Sequence, residues 1–248
     1  IAKETAPELS AHSDNIALNG KLFARVEELW NKKGSLNLNL EQAKILENRY
    51  KSFVRSGANL SQTDKDKLRK INAELSLTSL KYGQNILAET NKYELVISDK
   101  KELDGLPSQL IEAAAEDAKA NGKAGKWVFT LSNSSVMPFL QYSSNRKLRK
   151  EIWNAYQTRA NHDDDLDNKA NAVKLANLRG EKARLLGYKS HSDYVLEESM
   201  AKTPENVSKL LNDLWKPALE IAKVEAVDIQ KMMDKDGIKD KVQPYDWR

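Results

Sequence analysis

A chain of 248 residues is long enough to bury a sizeable core, as one large domain or two small ones. Charged residues make up 31%, with 40 Lys and Arg against 36 Asp and Glu, so the formal charge of +4 describes a mixed surface and not a nucleic-acid footprint. No apolar run approaches the roughly 20 residues of a membrane-spanning helix, and the lack of cysteine excludes disulfides, zinc–thiolate sites and a thiol nucleophile.

In chain order, Ile1-Ala2-Lys3-Glu4-Thr5 is not a basic leader followed by an apolar segment, so no signal peptide is read there. Ile16, Phe23, Val26 and Trp30 form a loose helical stripe ending at Gly34. Asn39 with Gln42 makes a capping box for a helix over 39 to 56, whose Leu40, Ala43, Leu46, Tyr50, Phe53 and Val54 share a face before Gly57 stops it. Ser61 with Asp64 caps a long helix carrying Leu68, Ile71, Leu75, Tyr82 and Ile86. These three segments are expected to form an antiparallel bundle.

The apolar period then falls to two. Residues 92 to 98 and 126 to 132 alternate and are rich in aromatic and β-branched side chains, which predicts two strands, with parallel or antiparallel pairing left open. Between them Leu106-Pro107 starts an alanine-rich helix with Leu110, Ile111, Ala114 and Ala118, closed by Asn121-Gly122. From Asn145 the pattern is helical again. Leu148, Ile152, Ala155 and Tyr156 form one face, and Ala170, Val173, Ala176, Leu178, Ala183 and Leu186 another, ended by Gly187. Thr203 and Pro204 open a final helix through Val207, Leu210, Leu214, Trp215, Ala218, Ile221 and Ala222 toward Met232 and Met233, with a kink expected near residues 213 to 217 at Pro217. The fold class is mainly α, with a small two-stranded β insertion, in three sections: 1–90, 91–133 and 134–248.

Local chemistry is sparse. Asp163, Asp165 and Asp167 alternate as calcium ligands could, but an EF-hand begun at Asp163 needs Gly and Glu where Asn168 and Lys174 stand, which favours a helix cap. His162 reads as a solvated loop residue, and His12 and His191 as residues at helix ends or faces. The basic run Arg146, Lys147, Arg149 and Lys150, near Trp153 and Tyr156, is read as a solvated helix face in preference to a nucleic-acid patch. Ser134 and Ser135 lack a nearby histidine and carboxylate to activate them, and Gly122-Lys123-Ala124-Gly125 lacks the spacing of a phosphate loop.

Residues 178 to 188, with Ser192-Asp193-Tyr194-Val195-Leu196 and Met200-Ala201-Lys202-Thr203-Pro204-Glu205, resemble the zinc oligopeptidases, and most of all their bacterial peptidyl-dipeptidases. Leu9 to Asp14, Phe53 to Ser61, Gly105-Leu106-Pro107, Asn145 to Arg149 and Tyr245-Asp246-Trp247-Arg248 fit the same family in the same order. The resemblance implies part of the N-terminal half of a neurolysin-like helical ellipsoid split by a deep channel. It also implies a hydrolase that releases C-terminal dipeptides from short peptides, using zinc on a His-Glu-x-x-His helix. That motif is missing, since His12, His162 and His191 are followed by Ser13, Asp163 and Ser192.

The expectation is therefore a fragment preceding the catalytic region, inactive alone, that walls the substrate channel. Its partners are short peptides and the missing N-terminal and catalytic parts, against which Trp215, Met232, Met233, Tyr245 and Trp247 are expected to pack. No nucleic acid or membrane partner is expected. Zinc belongs to the parent outside this chain, and no residue here is assigned as catalytic, cofactor-binding or metal-binding. A cytoplasmic location is favoured, with a periplasmic one open. The reading from another class is an autonomous helical module that binds protein or peptide without catalysis.

Overall fold

The computed structural model describes residues 2 to 247, so Ile1 of the leader reading and Arg248 of the last family-like block lie outside the described residues. In chain order the helices are α1 (Ala2–Ala17), α2 (Gly20–Asn31), α3 (Leu40–Arg55), α4 (Gln62–Lys92) and α5 (Ser108–Ala120), followed by α6 (Asn133–Tyr142), α7 (Arg146–Gln157), α8 (Lys169–Leu185), α9 (His191–Leu196) and α10 (Pro204–Lys235). Strands β1 (Leu95–Ile97) and β2 (Trp127–Phe129) flank α5. The fold is mainly α with a small β insertion, as expected. Two compact units divide the chain, residues 1–83 with 170–207, and residues 84–169 with 208–248.

In the first unit the stripe from Ile16 to Trp30 is broken into two helices. Asn19 accepts a hydrogen bond from the Leu22 amide at 3.0 Å and so starts α2 afresh, leaving Ile16 exposed on α1 while Phe23 is buried. The capping box of α3 forms, with the Gln42 amide donating to Asn39 Oδ1 at 2.8 Å and the Asn39 amide donating to Gln42 Oε1 at 3.1 Å. Leu40 and Ala43 are nonetheless exposed, and the working face of α3 is its second half. There Tyr50 stacks on Trp30 with centroids 4.7 Å apart, and Phe53 lies 6.1 Å from Phe23, which ties α3 to α2. Ser61 caps α4 through the Asp64 amide, and Leu68 and Ile71 are buried beyond it. On α8 the expected Leu178 and Ala183 are buried together with Leu175, while Ala170, Val173 and Ala176 at its start face solvent. Its end is as read: Gly187 takes φ +87° and the Tyr188 amide reaches back to the Ala183 carbonyl at 2.9 Å.

The core of the second unit grows on the two strands. They pair antiparallel, Leu95 opposite Phe129 and Ile97 opposite Trp127. Each has three residues, shorter than expected, because Lys92 still belongs to α4 and Thr130 leaves the sheet to donate its amide to Ser135 Oγ. A sheet this small needs cover. Ala114 and Ala118 of α5 supply some of it, their short side chains letting the helix lie close to β2. Helix α6 supplies more, with buried Val136, Phe139 and Leu140, and Phe139 meets Phe129 edge-on at 4.7 Å. The sequence over residues 133 to 142 carries no clear helical pattern, since Pro138 stands mid-helix and three polar residues precede the apolar ones. Pro107 sits at the cap of α5 and not inside it, while Asn121-Gly122 closes that helix as expected. Helix α7 adds Leu148 and Ile152, with Ala155 and Tyr156 packed against the same core.

Helix α10 differs from the others. Thr203 caps it through the Asn206 amide and Pro204 is its first residue. It is continuous through Pro217, whose missing N–H leaves the Asp213 carbonyl without its usual amide donor. Of its 32 residues only Met233 is buried, while Leu210, Leu211, Leu214, Trp215, Ile221, Val224, Val227 and Met232 are each 53% to 65% exposed. Trp215 and Met232 are thus bare, as expected, whereas Met233 and Tyr245 are already covered within the second unit.

Gly105 is the residue whose backbone freedom this unit cannot lose. Its φ is +83°, and a Cβ there would stand 2.2 Å from the Tyr142 carbonyl oxygen at the turn between α6 and α7. Gly105→Ala should cost about 2 to 4 kcal/mol, combining left-handed strain with backbone overlap. Gly122→Ala, with φ +71° and open space, should cost only about 1 kcal/mol. Denaturant midpoints for the two variants check this, and equal losses would contradict it.

Candidate functional site

In the first unit a cleft of about 640 Å³, with a mixed polar and apolar lining, lies between α1, α4, α8 and α9. Its lining includes a relay of three side chains, of which Asp14 is buried and Asn72 and Lys182 are half-buried. Asn72 Nδ2 donates to Asp14 Oδ1 at 2.7 Å, and Lys182 Nζ donates to Asn72 Oδ1 at 2.8 Å. Burial pushes the Asp14 carboxyl up, against lowering by Asn72, Arg69 and Lys182, and burial pushes the Lys182 ammonium down, against the raising effect of Asp14. Arg179 lies on the same helix three residues before Lys182, and both line the cleft with His191 and Tyr194. His191 Nδ1 is buried without a hydrogen-bond partner, and its ring is held below its ordinary pKa first by burial and then by Arg179 and Lys182.

The wall carrying His191 is fixed from behind. Arg55 on α3 donates to Tyr188 Oη at 3.2 Å and to the Tyr194 carbonyl at 2.7 Å, and pairs with Glu197. Tyr188 Oη in turn donates to Glu197 Oε2 at 2.7 Å, and the Arg55 guanidinium lies 4.8 Å from the Tyr194 ring centroid. Ser190 caps α9 through the Asp193 amide. The Asp14, Asn72 and Lys182 group went unread in the sequence, yet a signal was present: Lys182 is four residues after Leu178 and next to Ala183, which puts a lysine on the buried face of α8.

In the second unit the basic run is a clamp and not a solvated face. Arg146 Nε donates to Asp246 Oδ1 at 3.0 Å and its Nη2 to Oδ2 at 2.9 Å, while Arg149 Nη2 reaches Oδ1 at 3.0 Å. The Asp246 side chain is 3% exposed. Burial pushes its carboxyl up, but hydrogen bonds from Arg146, the Gln243 amide and Arg149 outweigh that and hold it below the ordinary range. Lys147 and Lys150 remain exposed. His162 is an exposed loop residue as expected, and its Nε2 also lies 2.6 Å from Glu89 Oε1. His12 is exposed on α1, and Ser134 and Ser135 fall in the first turn of α6, where Ser135 serves the Thr130 amide.

The acidic turn holds backbone. Asp167 accepts from the Asp163 amide at 2.9 Å and the Lys169 amide at 2.8 Å, and Lys169 Nζ pairs with both Asp163 and Asp167. The two amides first, and then the Lys169 side chain, lower the Asp167 carboxyl from 3.8 to about 2. Among the described residues no group of three or more His, Asp or Glu is placed to hold a metal ion. A carboxylate with a lowered folded pKa stabilises above its unfolded value, so this contribution should fade as pH falls from about 4 toward 2. Calcium at about 1 mM should leave the melting temperature unchanged. A calcium-dependent rise lost in the double variant Asp163→Asn, Asp165→Asn would contradict the capping assignment.

The described structure is a set of helices with a small sheet, carrying a cleft in the first unit and ion-pair clamps in both. Comparison with known proteins adds its family. Residues 139–248 match the profile of peptidase family M3. Dipeptidyl carboxypeptidase of Escherichia coli (strain K12) is 34% identical over 247 residues, covering 100% of this chain and 36% of that relative. Oligopeptidase A of Haemophilus influenzae is 30% identical over 244 residues, covering 97% and 36%, and a probable cytosolic oligopeptidase A of Arabidopsis thaliana is 35% identical over 193 residues, covering 74% and 27%. The chain belongs to peptidase family M3. It spans about a third of the length of these curated relatives.

Proposed function

We propose that this chain is a non-catalytic helical section of a zinc peptidase that releases dipeptides from the C-termini of short peptides, and that it forms part of the substrate-channel wall. The observation that carries this reading is the alignment along the whole chain with a dipeptidyl carboxypeptidase at 34% identity. The chain's own residues do not fit the metal. His12 and His191 belong to one unit and His162 to the other, none begins a His-Glu-x-x-His, and the nearest carboxylate to His162 is its ion-pair partner Glu89. Zinc and the groups that work with it are accordingly assigned to other parts of the parent. A channel wall contributes access and exclusion instead, admitting extended short peptides and limiting water around them.

The bare face of α10 supports the same reading over an autonomous module. Eight large apolar side chains over half exposed on one helix mark a surface that a finished domain rarely leaves to water. The remainder of the peptidase is its proposed cover.

The test uses the polypeptide that continues this reading frame. It should release C-terminal dipeptides from an N-blocked pentapeptide, lose that activity to a chelator and regain it with zinc, while residues 1 to 248 alone stay inert. Cleavage at internal bonds would select the oligopeptidase activity carried by the names of other relatives. Absence of any hydrolysis by the longer polypeptide, or chelator-sensitive hydrolysis by this segment alone, would overturn the proposal.

A further inference from the structure

We propose that the cleft of the first unit binds a carboxylate on a short apolar stem, held between Arg179, Lys182 and His191. The inference does not rest on the peptidase reading. It begins from donors that lack acceptors. Among the described residues Arg179 makes no hydrogen bond or ion pair, and Lys182 makes one hydrogen bond, to Asn72, although its ammonium has three N–H groups. His191 lines the same cleft, and its Nδ1 is buried without a hydrogen-bond partner. Arg179 and Lys182 both act electrostatically on His191, so the three groups share one small region.

Charge sets the sign of the ligand. Two cations face a single carboxyl, Asp14, which is engaged by Asn72. With Arg69 also acting on Asp14, the surplus charge of the cleft is positive and calls for an anion, and Asp14 disfavours a second negative charge placed beside it. Shape sets the remainder. Leu9 and Leu75 line the same cleft, and about 640 Å³ is ample for several heavy atoms beyond a carboxylate. The end of a peptide chain and a small organic acid share this chemistry. In either case the guanidinium offers a paired fork and Lys182 a point charge, with the His191 ring beside them in the lining.

The experiment titrates the 248-residue chain with four probes at constant ionic strength: an N-acetylated Ala-Ala-Leu peptide, its C-terminal amide, butyrate and inorganic phosphate. Calorimetry gives affinity, and labelled imidazole resonances report His191. The free-acid peptide should saturate, the amide should bind at least about tenfold more weakly, and the His191 pKa should rise on binding because an anion favours the imidazolium. Arg179→Gln should weaken binding at least about tenfold with an unchanged melting temperature, since Arg179 is exposed and makes no described contact within the fold. Lys182→Met should also lose binding, with circular dichroism checking that it stays folded. Butyrate binding as tightly as the peptide would identify a small-acid site, and a clear preference for the peptide would identify a chain-end site. Equal binding of acid and amide, tighter binding of phosphate, or no effect of Arg179→Gln would each overturn the proposal, as would failure of every carboxylate to saturate.

Discussion

Apolar surface exposed to water is the constraint from which the rest of this structure is understood. Fully burying one Leu, Ile, Val or Met side chain contributes about 1.5 to 3 kcal/mol. The eight large apolar residues of α10 that stay over half exposed thus represent, on the order of 10 kcal/mol, stabilisation the described structure does not use. Against a typical domain stability of about 5 to 15 kcal/mol, that is too much to be incidental. The second unit is otherwise well covered: Val128, Phe129, Val136, Phe139 and Ile152 are fully enclosed. Apolar side chains such as Leu40, Leu87 and Val173 are exposed elsewhere, but α10 gathers eight of them on one helix, and that helix is the feature through which a larger assembly is inferred.

Ion pairs do a different job here. Asp246 and its two arginines hold the tail beside α7, placing Tyr245 in the core next to Trp153 at 6.2 Å. Removing one member would leave buried charge behind, which is the costly event, whereas the intact clamp adds less than its geometry suggests. Arg55 plays the corresponding part in the first unit, joining α3 to Tyr188, Tyr194 and Glu197. Both clamps draw on blocks that resemble the family, so the family-like residues include structural fasteners. The resemblance in those blocks is consistent with shared architecture and says nothing by itself of catalysis.

Helix starts and stops were legible because their chemistry is local. Asn39 with Gln42, Ser61 with Asp64, Thr203 with Pro204, and Gly187 act within one turn, and each is found where the sequence puts it. What depends on distant partners was not. Nothing near Arg146 announces that Asp246, a hundred residues on, will accept its hydrogen bonds. Only the second half of the α8 stripe, with Leu178 and Ala183, is buried, while Ala170, Val173 and Ala176 at its start face solvent, and Pro138 masks the helical pattern of α6. Asn19 splits α1 from α2 through one side-chain cap that a sparse stripe did not reveal. The clefts belong to the same class, for Asp14, Asn72 and Lys182 come from three separate helices. Family membership was readable for the opposite reason, resting on many short blocks in order and not on any single contact.

The central claim is that α10 is a buried element of a larger family M3 peptidase. Amide hydrogen exchange over residues 208 to 232 tests it most directly, compared between this 248-residue chain and the longer polypeptide that contains it. The account predicts fast exchange in the shorter chain and strong protection in the longer one, centred on Leu210, Leu214, Trp215 and Ile221, because a helix lacking tertiary cover opens readily. Equal exchange of this helix in both would show that its apolar face meets no other part of the protein, and would contradict the account.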